Sequence, residues 1–286
     1  MRVLVTGAAG FIGQHVLKAL EQGGHEVIGL DETQPVRPPW VYADITQSLQ
    51  AIPGLDAVIH LAALANPREC DANPAKAFNV NVNGTQQVLK MALESDAKKV
   101  VFASSAHVYD IPPRYIPTDE VHPLRLNNTY TTTKILGEQL CQLYFENHGL
   151  GYTTLRLFNA YGPGQSLGYF IPDMIAKAKS GSIQLVGGFT TKDFIHVDDV
   201  AEAFLSALET SFVGPINIGT GQETQLFSIA MMIADRFGVG CDDSGGAATR
   251  MCADWRRAKR VLDWCPTVSL EEGLRAIIGA AEKVAL

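Results

Sequence analysis

Cysteine is scarce and scattered in this chain. The five residues Cys70, Cys141, Cys241, Cys252 and Cys265 contain no Cys-x-x-Cys pair and leave an odd thiol over, so free thiols are expected in place of a disulfide framework. Cys252 and Cys265 lack the histidine company of a zinc site, and the seven histidines show no ligand spacing, so no metal is expected. His15 and His60 read as structural. There is no charged leader followed by an apolar signal segment, and no apolar run approaches the ~18 residues that a membrane span needs. A cytoplasmic protein is expected. Basic excess is missing too: 23 Lys and Arg against 30 Asp and Glu give a net charge of −7. That balance argues against a nucleic-acid or anionic-membrane surface, though not against a local anion site. Internal repeats and low-complexity tracts are absent as well.

Hydrophobic residues, by contrast, make up 47% of the 286, enough for a sizeable core in one large α/β domain with a smaller appendage. Apolar runs near Val3, Val27, Val58, Val100 and Thr154 alternate with helical stretches after residue 13, around Ala75 to Glu94 and around Thr129 to His148. Alternation of this kind specifies a parallel, doubly wound sheet with its ligand at the carboxyl ends of the strands.

The first run, Arg2 to Val5, leads into Thr6-Gly7-Ala8-Ala9-Gly10-Phe11-Ile12-Gly13 and then an amphipathic stretch to Gln22. In this strand, turn and helix, Gly7 suits a tight turn, Gly10 lets backbone approach a pyrophosphate, and Gly13 permits close helix packing. The second run, Glu26 to Leu30, ends in Asp31, where a carboxylate can hydrogen-bond an adenosine ribose. Asp31 and Glu32 would repel an extra phosphate there, and the nearest cation, Arg37, stands several residues on among prolines. NAD is therefore favoured over NADP.

Tyr130 and Lys134, four residues apart, share one face of a predicted helix. A phenol beside an ammonium is drawn toward its phenolate form, so the pair reads as a general acid/base, with the Tyr pKa expected to move toward neutrality.

Taken with the glycine turn, this Tyr130-to-Lys134 run resembles the extended short-chain dehydrogenase/reductase superfamily, in its NAD-dependent nucleotide-sugar epimerase/dehydratase branch. The resemblance spans nearly the whole chain. Asp44-Ile45 is similar to the branch's adenine-contacting pair. His60-Leu61-Ala62-Ala63 is similar to the small-residue strand end against the cofactor, and Asn81-Val82-Asn83-Gly84-Thr85 to the helix signature near the nicotinamide. Val100 to Tyr109 resembles the strand that carries the catalytic hydroxyl, which falls on Ser105. Leu155 to Pro163 resembles the passage whose Asn, here Asn159, reaches the substrate. Phe170-Ile171-Pro172 and Lys192 to Val200 follow in family order, with Asp198 and Asp199 equally suited to capping the next helix.

The resemblance implies a Rossmann-type sheet: residues 1–158 mainly an NAD-binding domain, and 159–286 mainly a smaller α/β substrate-binding portion interleaved with it. It implies a cofactor site of Gly7, Gly10, Phe11, Ile12, Gly13, Asp31, Asp44, Ile45, Leu61, Ala62, Ala63, Asn81, Tyr130 and Lys134. Ser105, Tyr130 and Lys134 are the implied catalytic set, and Ser105, His107, Asn159, Phe170 and Lys192 the implied substrate contacts.

The implied reaction is NAD-dependent epimerisation of a nucleotide-linked sugar at C4 through a 4-keto intermediate. Related dehydratases carry Asp-Glu after the catalytic hydroxyl and related decarboxylases carry Glu at the second place. Here those places are Ala106 and His107, which disfavours both reactions. The chain also departs from the branch at Lys192, where relatives have Arg, at Asp110, where they have Gly, and in Asp242 to Thr249, which holds no Arg. An alternative is a reductase or dehydrogenase of a 4-ketosugar or other carbonyl, using the same three residues. A non-catalytic dinucleotide-sensing or RNA-binding protein is a remote third, opposed by the intact catalytic set and the acidic balance. A homodimer through the helices around Ala75 to Glu94 and Thr129 to His148 is expected by resemblance. Otherwise Leu136, Leu140, Leu143 and Tyr144 face the sheet.

Overall fold

The computed structural model describes residues 1–33 and 39–283; Arg37 and its neighbours Pro35 and Pro38 lie outside them. The chain begins β1 (Arg2–Thr6), α1 (Phe11–Gln22), β2 (Glu26–Asp31), β3 (Trp40–Tyr42), β4 (Ala57–His60), α2 (Pro67–Ala72) and α3 (Pro74–Phe78). A π-helical turn, Asn79–Asn83, joins α3 to α4 (Gly84–Glu94). There follow β5 (Lys99–Ser105), α5 (Thr129–His148), β6 (Gly151–Leu157), β7 (Asn159–Tyr161), α6 (Phe170–Lys179), β8 (Ser182–Leu185), β9 (Thr191–Lys192) and β10 (Phe194–His196). The chain closes with α7 (Val197–Glu209), β11 (Gly214–Ile218), β12 (Thr224–Gln225), α8 (Leu226–Phe237), β13 (Gly240–Asp243), α9 (Arg256–Leu262) and α10 (Leu270–Lys283).

Seven strands form one sheet in the order β11-β6-β5-β4-β1-β2-β3, with every neighbouring pair parallel. Its strands are apolar on both faces because helices cover both. The pleat sorts the residues: Val3 and Val5 join Val16 and Leu20 of α1 and Phe204 and Ala207 of α7 in one cluster. Leu4 joins Val88 and Leu89 of α4 and Cys141 of α5 in the other. Each fully buried Val or Leu here contributes roughly 2 kcal/mol.

Order reverses between β1 and β4, and the crevice at their carboxyl ends is where such sheets bind ligands. α5 starts where the Asn128 side chain accepts the Thr131 N–H at 2.8 Å and stops at Gly149, in the left-handed region at φ 71°.

The smaller lobe packs α6, β8, α8 and α10 around Ile171, Ile183, Ile229, Ile233 and Leu274. Two buried carboxylates fasten it. Asp193, fully buried, accepts the N–H groups of Thr220, Gly221 and Ala253 at 2.8, 2.8 and 3.0 Å. Asp199 accepts the N–H groups of Thr267 and Val268, both at 3.0 Å. The capping role expected of Asp198 and Asp199 goes instead to His196, whose Nδ1 accepts the Asp198 N–H. Asp199 turns inward to the C-terminal segment, and Asp198 binds His15 Nδ1 at 2.6 Å.

Candidate active site

A cleft of about 1010 Å³ runs across the carboxyl ends of the strands, from Gly10 and Asp31 at one end to Tyr130 and Lys192 at the other. Its first wall is the glycine turn. Gly7 sits at φ +69°, and a side chain there would press within 2.7 Å of the Ala62 nitrogen. A Cβ on Gly13 would come within 2.2 Å of the Gly7 carbonyl, so helix and turn can touch only because both residues are glycine. Gly10 is the N-cap of α1 and offers no capping side chain. The first-turn N–H groups, on Phe11, Ile12 and Gly13, line the cleft and are available to an anion.

Asp31 closes this end: its Oδ1 accepts the Thr33 N–H at 3.0 Å and the Thr33 hydroxyl at 2.9 Å, and its Oδ2 accepts the Ala9 N–H at 3.0 Å, leaving a lone pair free on Oδ2. Asp44 and Ile45 line the next stretch, where hydrogen bonds from Thr46 hold the Asp44 carboxyl below its usual range. Leu61, Ala62 and Ala63 form the floor. Small residues, a helix N-terminus and two carboxylates in this order fit NAD.

At the reacting end, Ser105 terminates β5 and its Oγ accepts the His107 N–H at 3.2 Å, so the short 3-10 turn Ala106–Val108 fixes its direction. Tyr130 is 8% exposed, among Cys70, Ala77 and Leu64. Lys134, one turn on, is 5% exposed, and its Nζ donates to the Ala103 carbonyl at 2.8 Å. The expected drop in the Tyr130 pKa is not what the structure shows: burial pushes the phenol up, and the neighbouring Ser105 hydroxyl only opposes this. The ammonium spends its hydrogen bond on backbone, 5.9 Å from the Tyr130 ring centre, and burial pulls Lys134 itself down to about 8.

Two residues of the expected cofactor set stand behind the cleft wall. Lys134 is one. Asn81, in the π turn, is the other: its amide accepts the Leu64 N–H at 2.8 Å and donates to the Leu64 carbonyl and the Thr133 hydroxyl. It thereby ties the loop after β4 to α5.

The expected substrate contacts Ser105, His107, Asn159, Phe170 and Lys192 all line the cleft. His107 packs edge-on to Tyr130 with ring centres 6.2 Å apart. Burial, helped by the Lys192 charge, lowers its pKa to about 4, so the imidazole is neutral at pH 7. Asn159 donates to the Asp193 carbonyl at 3.0 Å. Tyr169, Gln165 and Asn66 also line the cleft and were missed in the sequence because they lie on rims brought together only by folding.

The sequence pattern of the NAD dependent epimerase/dehydratase family matches residues 3–219. The chain belongs to that family. It is 34% identical over 300 residues to a Methanocaldococcus jannaschii protein provisionally named UDP-glucose 4-epimerase, covering 96% of this chain and 97% of that one. It is 29% identical to UDP-glucuronic acid decarboxylase 1 of Xenopus tropicalis, covering 97% of this chain and 71% of that protein. Among solved structures, MoeE5 in complex with UDP-glucose and NAD superposes with a TM-score of 0.90 at 29% identity, covering all of both chains.

Proposed function

We propose that the protein is an NAD-dependent epimerase of a nucleotide-linked sugar, inverting C4 of the sugar with no net redox change. The reading is carried by Ser105 and Tyr130 at the reacting end of a dinucleotide cleft, with Ala106 and His107 where an eliminating or decarboxylating relative needs a carboxylate. NAD, when bound, supplies a two-electron acceptor that the reaction regenerates. Gly7 to Gly13 and Asp31 would hold its adenosine and diphosphate, and Ala62, Ala63 and Tyr130 would face its nicotinamide half.

The chain supplies the proton chemistry. Ser105 holds the reacting oxygen, and Tyr130 takes the hydroxyl proton and returns it. Tyr130 takes that proton as the phenolate and gives it back as the phenol, and because burial favours the phenol the phenolate needs support. The Lys134 ammonium one turn below stabilises the phenolate when the proton is drawn. Residues 159–286 contribute Asn159, Phe170 and Lys192 to the sugar's wall, where the keto sugar must turn to present its other face. Neutral His107 offers that wall one hydrogen bond.

Leu140 and Tyr144 of α5 pack against the sheet cluster, but Leu136, Leu143 and Phe145 are 37%, 47% and 39% exposed. Leu136 and Leu143 are two turns apart on one face, and this uncovered stripe supports a homodimer through α5. No helix among the described residues is long and apolar enough to cross a membrane; we place the reaction in the cytoplasm.

The test is to release small molecules from purified protein by heat, identify them by mass spectrometry, and incubate the intact protein with UDP-glucose and UDP-galactose without added cofactor. Released NAD with exchange between the two sugars establishes the epimerase. Activity only with added NAD(P)H, consumed in proportion to product, replaces it with a reductase.

A further inference from the structure

α5 carries a third buried polar residue on the face of Tyr130 and Lys134. Glu138 lies one further turn along, 7% exposed, and residues at i, i+4 and i+8 stack on one side of a helix. Its carboxylate is fully engaged. It accepts the Ser104 hydroxyl at 2.5 Å, from the residue before Ser105 on β5. It also accepts a two-pronged contact from Arg156 of β6, Nε at 2.9 Å and Nη2 at 2.7 Å. The side chains of Arg156 and Glu138 are 4% and 8% exposed.

Arg156 continues the network, donating to the Tyr109 hydroxyl at 3.1 Å and the Glu120 carbonyl at 3.2 Å. The Tyr109 hydroxyl donates to Asn217 of β11 at 2.5 Å, and the Asn217 N–H is accepted by the Glu120 carboxylate at 2.8 Å. One carboxylate on α5 thus anchors three neighbouring strands of the sheet, directly under the reacting end of the cleft.

The geometry points to Glu138 as a positioning residue for the catalytic pair: it clamps α5 to Ser104 and Arg156 and provides the anion nearest along the helix to the Lys134 ammonium. The assignment rests on Tyr130 and Lys134 being the acid/base pair. The clamp fixes α5 to β5 at the level where Lys134 meets the Ala103 carbonyl, so the ammonium, Tyr130 and Ser105 keep one register. The charge matters as well. The groups around Lys134 are His60 of β4, Cys70 of α2, and Tyr130, Glu138 and Cys141 of α5, with Arg156 of β6 beyond Glu138. Of these, Glu138 is the carboxylate: burial lowers Lys134, and Glu138 is among the groups that push it back up.

The test uses NAD-loaded protein and compares Glu138→Gln with the charge-conserving Glu138→Asp. The first readout is the pH profile of cofactor-free isomer exchange. The second is the titration of Lys134 followed at its ε-carbon by NMR, which needs no substrate and holds whatever reaction the protein performs. In Glu138→Gln the Lys134 midpoint and the alkaline limb of kcat fall together by ~1 pH unit, a ~fivefold loss of kcat at pH 8 with KM nearly unchanged. Glu138→Asp restores both to the wild-type position.

Removing one partner of a buried ion pair can prevent folding. In that event Glu138→Gln/Arg156→Gln, which strands neither member of the ion pair, takes the place of the single variant. Coincident Lys134 midpoints in wild type and the charge-removing variant overturn the inference. A shifted midpoint without isomer exchange in the wild type upholds the electrostatic role of Glu138 and overturns the epimerase reading.

Discussion

Protonation of one buried imidazole is expected to open the cofactor cleft in acid. His60 ends β4, is 1% exposed, and lies between two hydroxyls, with Nδ1 2.7 Å from Thr6 Oγ1 and Nε2 3.0 Å from Thr85 Oγ1. The Thr85 hydroxyl spends its single proton on the Asn81 carbonyl at 2.6 Å. Thr85 must therefore accept from His60, which fixes the neutral tautomer with its proton on Nε2 and leaves Nδ1 to accept from Thr6. Burial, with help from the Lys134 charge, lowers this imidazole from 6.5 to about 3. An unfolded chain binds that proton near pH 6.5 and the folded one does not, so stability is complete above 6.5 and declines as pH falls toward 3.

At pH 5 the shift of ~1.5 units corresponds to ~2 kcal/mol lost relative to pH 7. The structural consequence is local. Thr6 Oγ1 also accepts the Ala62 N–H at 3.3 Å, so the loop that floors the cleft depends on the same hydroxyl. Urea unfolding of wild type and His60→Gln between pH 7 and pH 5 measures the effect. The variant starts ~1–3 kcal/mol less stable because a buried hydroxyl loses its partner, and the gap should narrow by ~2 kcal/mol at pH 5. A gap independent of pH would refute the reasoning.

Tyr130→Phe keeps the ring among Cys70 and Ala77 but removes the proton carrier. Isomer exchange should fall ~10²–10⁴-fold with an unchanged unfolding midpoint, and full turnover would remove Tyr130 from the mechanism. Asp31→Ala deletes the carboxylate at the ribose end of the cleft; the ratio of NAD to NADP affinity, measured by calorimetry, should fall from a strong NAD preference toward parity. Leu143→Lys places a charge on the exposed stripe of α5, where sedimentation should show dimers giving way to monomers with the far-ultraviolet spectrum unchanged.

The features legible in the sequence are those written by local spacing. Gly7, Gly10 and Gly13 report a turn whose clashes the structure places at 2.2 and 2.7 Å, and Asp31 reports the end of a strand. The alternation of apolar runs with helical stretches gave the parallel sheet for the same reason. What stayed hidden depends on partners far along the chain. Glu138 and Arg156 are 18 residues apart, Asp193 and Ala253 are 60, and Asp199 and Thr267 are 68. No periodicity relates such pairs. The Tyr130 pKa was misjudged because four-residue spacing shows the ammonium but not the burial, which comes from α2 and α3 folding over the phenol. The capping role of Asp198 and Asp199 failed by the same logic: the local rule was sound, but long-range partners claimed both carboxylates.

The substrate's charged end is where these long-range pairings matter most for chemistry. Arg250 follows the stretch Asp242 to Thr249, and its guanidinium is paired through Nε at 2.9 Å and through Nη2 with Glu223, which also accepts the Thr191 hydroxyl. Of the basic side chains on the cleft, Lys76 pairs with Glu69 at 3.6 Å and Arg68 is exposed. Lys192 is then the half-buried cation lining that end of the cleft. Burial lowers its pKa, so an anion arriving beside it favours the charge that burial disfavours. A single ammonium is a point charge without a planar fork, so it attracts a phosphate without fixing its orientation. On the proposed reading, orientation of the substrate comes from shape: from Phe170, Tyr169 and Asn159, which line the cleft, and from the clamp by which Asp193 holds the neighbouring segments in place. For an enzyme whose keto sugar must turn within the site, a loosely oriented charged anchor and a shaped apolar wall are compatible requirements.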